Sequence, residues 1–219
     1  MRRLLVLRPE PGASETVERA KQRKLDAIAT PLFEIEPVAW DAPDPASFDA
    51  LLLTSANAVR HGGEALLRLR GLPVHAVGEA TAAAARDAGF DIASSGDDGV
   101  DRLLASIEPD LELLHLCGEN RRAPTEPTQH ITAITVYRAV ERPPTAIPEG
   151  AVAMVHSTRA GRRLAELAAD RGTIAIAAIS RAAADTVGDG WASVDVAERP
   201  SDDALLALAA RLCNKPVQQ

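Results

Sequence analysis

Two short polar loops carry the residue types with the most chemical potential in this chain: Thr54-Ser-Ala-Asn57 and His156-Ser-Thr-Arg159. Each follows an apolar run of strand length and precedes a helical segment. Hydroxyls and backbone N–H groups therefore stand at a helix entrance. Such a position holds anions, because the first N–H groups of a helix lack intrahelical partners and the helix dipole is positive there. The plainer account of any one loop is N-capping, which Ser, Thr and Asn perform in every fold class. Four loops of this kind are harder to dismiss: Ser55/Asn57, Gly78/Thr81, Ser157/Arg159 and Ser180/Arg181. Arg8, Arg121, Arg122, Arg159, Arg162 and Arg181 fall at or just beyond strand ends. The planar fork of arginine pairs with carboxylates, so the chemistry these residues suit is the holding of a polycarboxylate. Solubility is the competing account for each arginine, and the better one for Arg162. Arg8 stands apart, since Pro9 ends its strand and fixes the backbone beside it.

Among the histidines, His156 lies at a strand end beside Ser157, where it could donate a proton, whereas His75 and His115 sit inside apolar strands and read as packed, neutral rings. The five histidines show no metal-ligand spacing. Glycine-rich nucleotide loops, a nucleophile elbow and a Cys-x-x-Cys pair are all absent, so neither a metal nor a cofactor is expected. What is left is a binding protein, or an enzyme that works by positioning its substrate.

The elements that would position these residues repeat. Leu51–Arg60 is echoed by Ala153–Arg162, and Val74–Ala85 by Ile174–Asp185. The repeat is domain-sized and predicts two similar α/β domains with parallel sheets. Strands are expected over 4–7, 27–30, 50–53, 74–77, 91–93, 112–116, 152–155, 174–177 and 193–196. Helices are expected from Ser14 to about Lys24 and over 59–69, 80–88, 100–107, 160–170, 181–187 and 202–212. Pro31–Pro37 and Ile131–Val140 differ from the buried runs, because they alternate in the manner of half-exposed strands. The second copy has no counterpart of Leu113–Arg138 after its last helix, and Leu4–Pro37 supplies it. One domain is therefore discontinuous, made of 1–35 and 142–219, and encloses an inserted domain over 40–132. Strands 33–39 and 133–141 form a two-stranded antiparallel connector. In doubly wound sheets ligands sit at the carboxyl ends of the strands, where all four loops would gather.

The 219 residues, 46% hydrophobic and 25% charged, describe an ordinary globular chain, and aromatics at 3% predict aliphatic cores. A net charge of −7 argues against a nucleic-acid partner. The spacing of Cys117 and Cys213 fits neither a metal pair nor a redox pair. Both read as buried or incidental thiols. The apolar part of Met1–Arg8 is too short for a signal peptide, and no run has the length of a membrane span. A cytoplasmic protein without a membrane partner is expected.

Taken in order, several segments resemble uroporphyrinogen-III synthase: Leu7-Arg8-Pro9, Pro31–Pro37, Leu53–Val59, Val77-Gly-Glu-Ala-Thr81, Leu116–Arg122, Val136-Tyr-Arg138, Ser157 and Ile179-Ser180. Each is weakly specific, and their order and spacing carry the resemblance over nearly the whole chain. The resemblance implies two α/β domains on a two-stranded ladder with the active cleft between them. It also implies a lyase that closes hydroxymethylbilane to uroporphyrinogen III, with loss of water and inversion of the last ring through a spiro-pyrrolenine. The loop and strand-end residues read above as substrate-binding are Arg8, Ser55, Asn57, Gly78, Thr81, Arg121, Ser157, Arg159 and Ser180. Such an enzyme is expected to act as a monomer in tetrapyrrole biosynthesis. Some family members carry a tyrosine after the strand matching Val152–Val155. The only tyrosine here, Tyr137, lies in the connector, so the leaving hydroxyl is assisted by His156, by Thr158 or by a bound water, or such a tyrosine is dispensable. A non-catalytic two-domain binder of a small anion, a sensor or a carrier, is the alternative.

Overall fold

The computed structural model describes residues 1–96, 99–121, 123–143 and 146–215. Continuous apolar runs make its central strands. Leu4–Val6 (β1), Ala50–Leu53 (β4), Val152–Val155 (β9) and Ala175–Ala178 (β10) are buried at every residue, as strands covered on both faces require. The remaining strands are Ala27–Ala29 (β2), Phe33–Pro37 (β3), Val74–Val77 (β5), Ile92–Gly96 (β6), Glu112–Gly118 (β7), His130–Glu141 (β8) and Ser193–Val196 (β11). The helices are Gly12–Gln22 (α1), Ala56–His61 (α2), Gly63–Leu67 (α3), Glu79–Asp87 (α4), Val100–Leu104 (α5), Thr158–Leu167 (α6), Arg181–Asp185 (α7) and Asp202–Asn214 (α8). Among the described residues no helix is long and apolar enough to cross a membrane.

The chain divides into two compact units, one made of Met1–Glu34 with Glu141–Gln219 and the other of Ile35–Val140. The first, unit 1, holds a five-stranded sheet in the order β11-β10-β9-β1-β2, parallel throughout. Leu4, Val6, Val152, Met154, Ala175 and Ala177 face a core closed by Ala13, Val17 and Ala20 of α1 and by Leu205, Leu208 and Leu212 of α8. Helices α6 and α7 pack on β9 and β10. In unit 2 the sheet runs β3-β8-β7-β4-β5-β6. Leu51, Leu53, Val74, Ala76, Leu114 and Leu116 meet α2 and α4 on one face, and Ala50, Leu52 and Leu113 meet Leu103 and Leu104 of α5 on the other. Read from β11 or from β6, both sheets follow one plan, with β1 of unit 1 in the place that β7 takes in unit 2.

Strand β8 first pairs parallel to β7, from Glu112↔His130 to Cys117↔Thr135, and the register shifts before Gly118↔Tyr137. Its other neighbour is β3. The bonds Val38 N–H to Val136 O and Arg142 N–H to Leu32 O run in opposite chain directions, so the connector is antiparallel, as the alternating pattern predicted.

Element ends differ from expectation where capping or glycine decides them. The helix expected over 59–69 is two helices: Ser55 caps α2 three residues early, and Gly63 at φ +63° ends the run. The helix expected over 100–107 stops at Leu104, and that over 160–170 lies at Thr158–Leu167 behind its cap, Ser157. Strand β7 continues through Cys117 and Gly118, past the strand expected over 112–116, because β8 offers pairing partners that far. Strand β6 extends to Gly96 on the edge of β5.

Helices α6 and α7 approach closely over Gly161. A Cβ there would stand 2.3 Å from Thr186 Oγ1 and 3.0 Å from the Ala183 carbonyl, and Thr186 is itself bonded to that carbonyl at 2.8 Å. Gly161→Ala is expected to cost about 1–3 kcal/mol through overpacking. Gly172→Ala, whose nearest neighbour would lie at 3.5 Å, should stay within about 0.5 kcal/mol. Chemical denaturation midpoints of the two variants check the contrast.

Candidate active site

Parallel strands send all their strand-to-helix turns to one edge. In unit 1 that edge carries Arg8 after β1, His156-Ser157-Thr158-Arg159 after β9, and Ser180 after β10. Ser157 and Ser180 cap α6 and α7, their hydroxyls accepting from the N–H of Ala160 at 3.1 Å and Ala183 at 3.3 Å. A capping hydroxyl keeps its own hydrogen free to donate to an anion. Thr158 opens α6. Arg159 stacks its guanidinium 4.4 Å over the Phe33 ring. Its Nη1 is buried without a hydrogen-bond partner among the described residues.

The residue that organises this edge was not singled out in the sequence. Asp202, the first residue of α8, accepts from Arg8 Nη1 at 3.3 Å and from Arg19 Nη1 at 2.5 Å. It also accepts from Thr16 Oγ1 at 3.2 Å and pairs with His156 Nε2 at 2.8 Å. Asp203 binds the other amino group of Arg19. The Arg8 guanidinium lies against Gly12, where a Cβ would come within 2.6 Å of it. Burial pushes the Asp202 carboxyl up, but the hydrogen bond and charge of His156, with Arg8 and Arg19, outweigh it and hold the group at about 2.

In unit 2 the same edge carries Ser55 and Asn57 after β4, Gly78 and Thr81 after β5, and Arg121 after β7. Thr54, Ser55, Val77, Gly118, Arg121 and Tyr137 contribute to the walls of a cavity of 280 Å³. Ser55 caps α2 through the N–H of Asn57, at 3.2 Å. Gly78 takes φ +85°, which glycine adopts without strain, and its N–H bonds the Gly96 carbonyl at 2.8 Å. Thr81 is buried on the inner face of α4. Asn57, Gly78 and Thr81 share the edge without forming the cavity wall. Arg122 lies outside the described residues. Tyr137 lies against Gly118, where a Cβ would meet its ring at 2.6 Å. Behind Thr54, at 3.0 Å from its hydroxyl, stands His115 Nε2, held down to about 4 by burial and then by Arg121. Cys117 is buried, and Cys213, on α8, is buried in the unit 1 core. His75 is buried as expected and bonds Ser94 at 2.7 Å. A larger cavity of 400 Å³ opens at the amino ends of the strands, beside Asp49 and His75, the edge that doubly wound folds leave without ligand.

The family model described as uroporphyrinogen-III synthase HemD matches residues 14–207. The chain belongs to that family. Its fold is similar to the uroporphyrinogen-III synthetase of Helicobacter pylori, with a TM-score of 0.69 at 19% identity over 97% of this chain and 100% of that one. A mutant uroporphyrinogen III synthase of Thermus thermophilus gives a TM-score of 0.52 at 17% identity over 99% and 100%. No curated protein matches. Uroporphyrinogen-III synthase membership places the chain in porphyrin and tetrapyrrole biosynthesis. Within that frame Tyr137 gains interest, because the alternation of β8 marked it only as a connector residue, yet it walls the unit 2 cavity. Asp202 had no sequence signal beyond Ser-Asp-Asp at a helix start, which reads as a cap.

His115 and Asp202 act in different pH windows. His115 is lowered in the fold, so the unfolded chain takes up its proton first, and stability falls as pH drops from about 6.5 to 4. Asp202 is also lowered, from 3.8, so its contribution is complete above that value and is lost as pH falls toward about 2. Each contributes at most a few kcal/mol (~1–3 once solvent screening is allowed for), with His115 the larger. Acid is therefore expected to weaken unit 2 before unit 1, as read from amide signals of each unit. His115→Gln should shrink the upper step, to which His75 and His61, also lowered by burial, contribute, and leave the lower one. Loss of both units together in the wild type would contradict the assignment.

Proposed function

We propose that this chain is a uroporphyrinogen-III synthase, a hydro-lyase that closes hydroxymethylbilane to uroporphyrinogen III. Membership in the family over residues 14–207 is the observation that carries the reading. In this mechanism loss of the terminal hydroxyl leaves an azafulvene, which attacks the substituted carbon of ring D. The resulting spiro-pyrrolenine fragments and recloses with that ring inverted. The bilane can also close unaided to the symmetric type I isomer, so the protein must chiefly impose a conformation. Holding the reacting carbons in near-attack geometry contributes on the order of several kcal/mol.

The chain's own residues divide that work. Arg8, Arg121 and Arg159 provide forked donors for the acetate and propionate carboxylates, while Ser55, Ser157 and Ser180 provide hydroxyls beside helix N-termini. Arg8 spends one N–H on Asp202 at 3.3 Å, and its other donors remain for substrate. Asn57, Gly78 and Thr81 shape the edge around Ser55. His156 and Thr158 are the proposed groups for the departing hydroxyl. No cofactor is proposed.

The purified chain, given enzymatically generated hydroxymethylbilane, is expected to yield type III isomer above the spontaneous type I background by chromatography. A folded protein that binds the bilane and returns only type I would be a carrier, and the reading would fail. Arg8→Ala should raise KM by roughly tenfold or more, the loss of a charge-assisted bond. Ser55→Ala should raise it a few-fold, and in both kcat should change less. Selective loss of kcat with KM intact would remove these residues from the binding role.

A further inference from the structure

Resting on the synthase reading, we infer that Asp202 is a positioning residue for the reaction, acting through His156 and Arg8. Its carboxylate draws together four elements of unit 1. Oδ1 faces His156 Nε2 at 2.8 Å and Arg8 Nη1 at 3.3 Å, while Oδ2 faces Arg19 Nη1 at 2.5 Å and Thr16 Oγ1 at 3.2 Å. Thr16 is fully buried, so the carboxylate is anchored from below by a hydroxyl that cannot drift into solvent. The charged and titratable groups around it are Arg8 after β1, Arg19 on α1, Arg23 just past its end, His156 after β9, and Asp203 on α8. Arg19 and Arg23 also engage Asp203, which leaves Asp202 as the partner shared with Arg8 and His156.

The consequence for His156 is chemical. A carboxylate only accepts, so the ring nitrogen facing it must carry hydrogen. This fixes the Nε2–H tautomer in the neutral ring and leaves Nδ1 as the nitrogen that gains or loses a proton. Nδ1 is buried with no hydrogen-bond partner among the described residues, so the Asp202 carboxylate is the partner that sets the ring's orientation. The consequence for Arg8 is directional. Its guanidinium is pinned between Gly12 and Asp202, so the remaining N–H donors start from one orientation. Both candidates thus owe their geometry to a residue more than forty positions from either in sequence.

The experiment uses the full chain and has two readouts. Ring ¹⁵N shifts of His156 in the wild type are expected to report the Nε2–H tautomer; an Nδ1–H ring there would overturn the inference without any variant. Asp202→Asn presents an amide that can donate as well as accept. It should mix the tautomers and lower kcat for type III product by ten- to hundredfold, part of what a positioned general acid supplies, with a smaller rise in KM. Arg19→Ala, which withdraws a salt link but leaves Arg8 and His156 on the carboxylate, should lower thermal stability and keep wild-type kcat and tautomer. An Asp202→Asn protein whose folded fraction keeps wild-type kcat and the Nε2–H signal reduces Asp202 to a structural anchor and ends the proposal. A wild type that forms only type I product defeats the synthase reading instead, while the tautomer measurement still decides whether Asp202 positions His156.

Discussion

A strand buried on both faces can satisfy its backbone only by pairing, and in a parallel sheet each pairing obliges the chain to return across a helix to the same starting edge. That constraint puts every strand-to-helix turn on one side. It is why residues as far apart in sequence as Arg8, His156 and Ser180 line one edge in unit 1, and why Ser55, Gly78 and Arg121 line one edge in unit 2. The polar content of each edge is then a matter of which residue stands one or two places past the strand. Those places hold extended-to-helical turns where serine is favoured for capping, so the same residue that starts a helix also leaves a hydroxyl hydrogen pointing outward.

This arrangement explains what the sequence made legible. Leu51-Leu-Leu53 and Ala153-Met-Val155 are too apolar for any position but a sheet centre, and the alternation of Phe33–Pro37 and Ile131–Val140 suits strands with one exposed face. The fold followed from these local patterns. Boundaries slipped where a single residue outweighed the pattern: the Ser55 and Ser157 caps moved two helix starts, and Gly63 divided one helix. The site was legible only where it was local. Ser55 and Ser157 announce themselves beside their strands. Asp202 does not, because its meaning lies in Arg8 and Thr16, 194 and 186 residues away, and no short window contains both. Tyr137 is similar: its place in a cavity wall depends on the register shift that sets it opposite Gly118.

The electrostatics of unit 1 show how an acidic chain can present a cationic edge. A net charge of −7 is spread over the surface, while the edge gathers Arg8 and Arg159. Asp202 offsets part of that positive charge in a fixed place, and Phe33 offers Arg159 the face of its ring. The guanidinium groups are thereby held without being fully neutralised, which is the state in which they can still receive a carboxylate.

Strand β1 lies in the middle of its sheet, between β9 and β2, and Arg2 beside it binds the Gly150, Ala151 and Thr173 carbonyls, the first of these across 148 residues. On a ribosome this has a cost in time. At ordinary translation speeds, the wait between the emergence of β1 and that of its neighbour β9 is roughly 7 to 30 seconds. During that interval β1 has β2 beside it but lacks β9, and by its end the inserted unit, Ile35–Val140, has been synthesised whole. The nascent protein therefore matures from its middle outward, and its earliest residues are among the last to find their place.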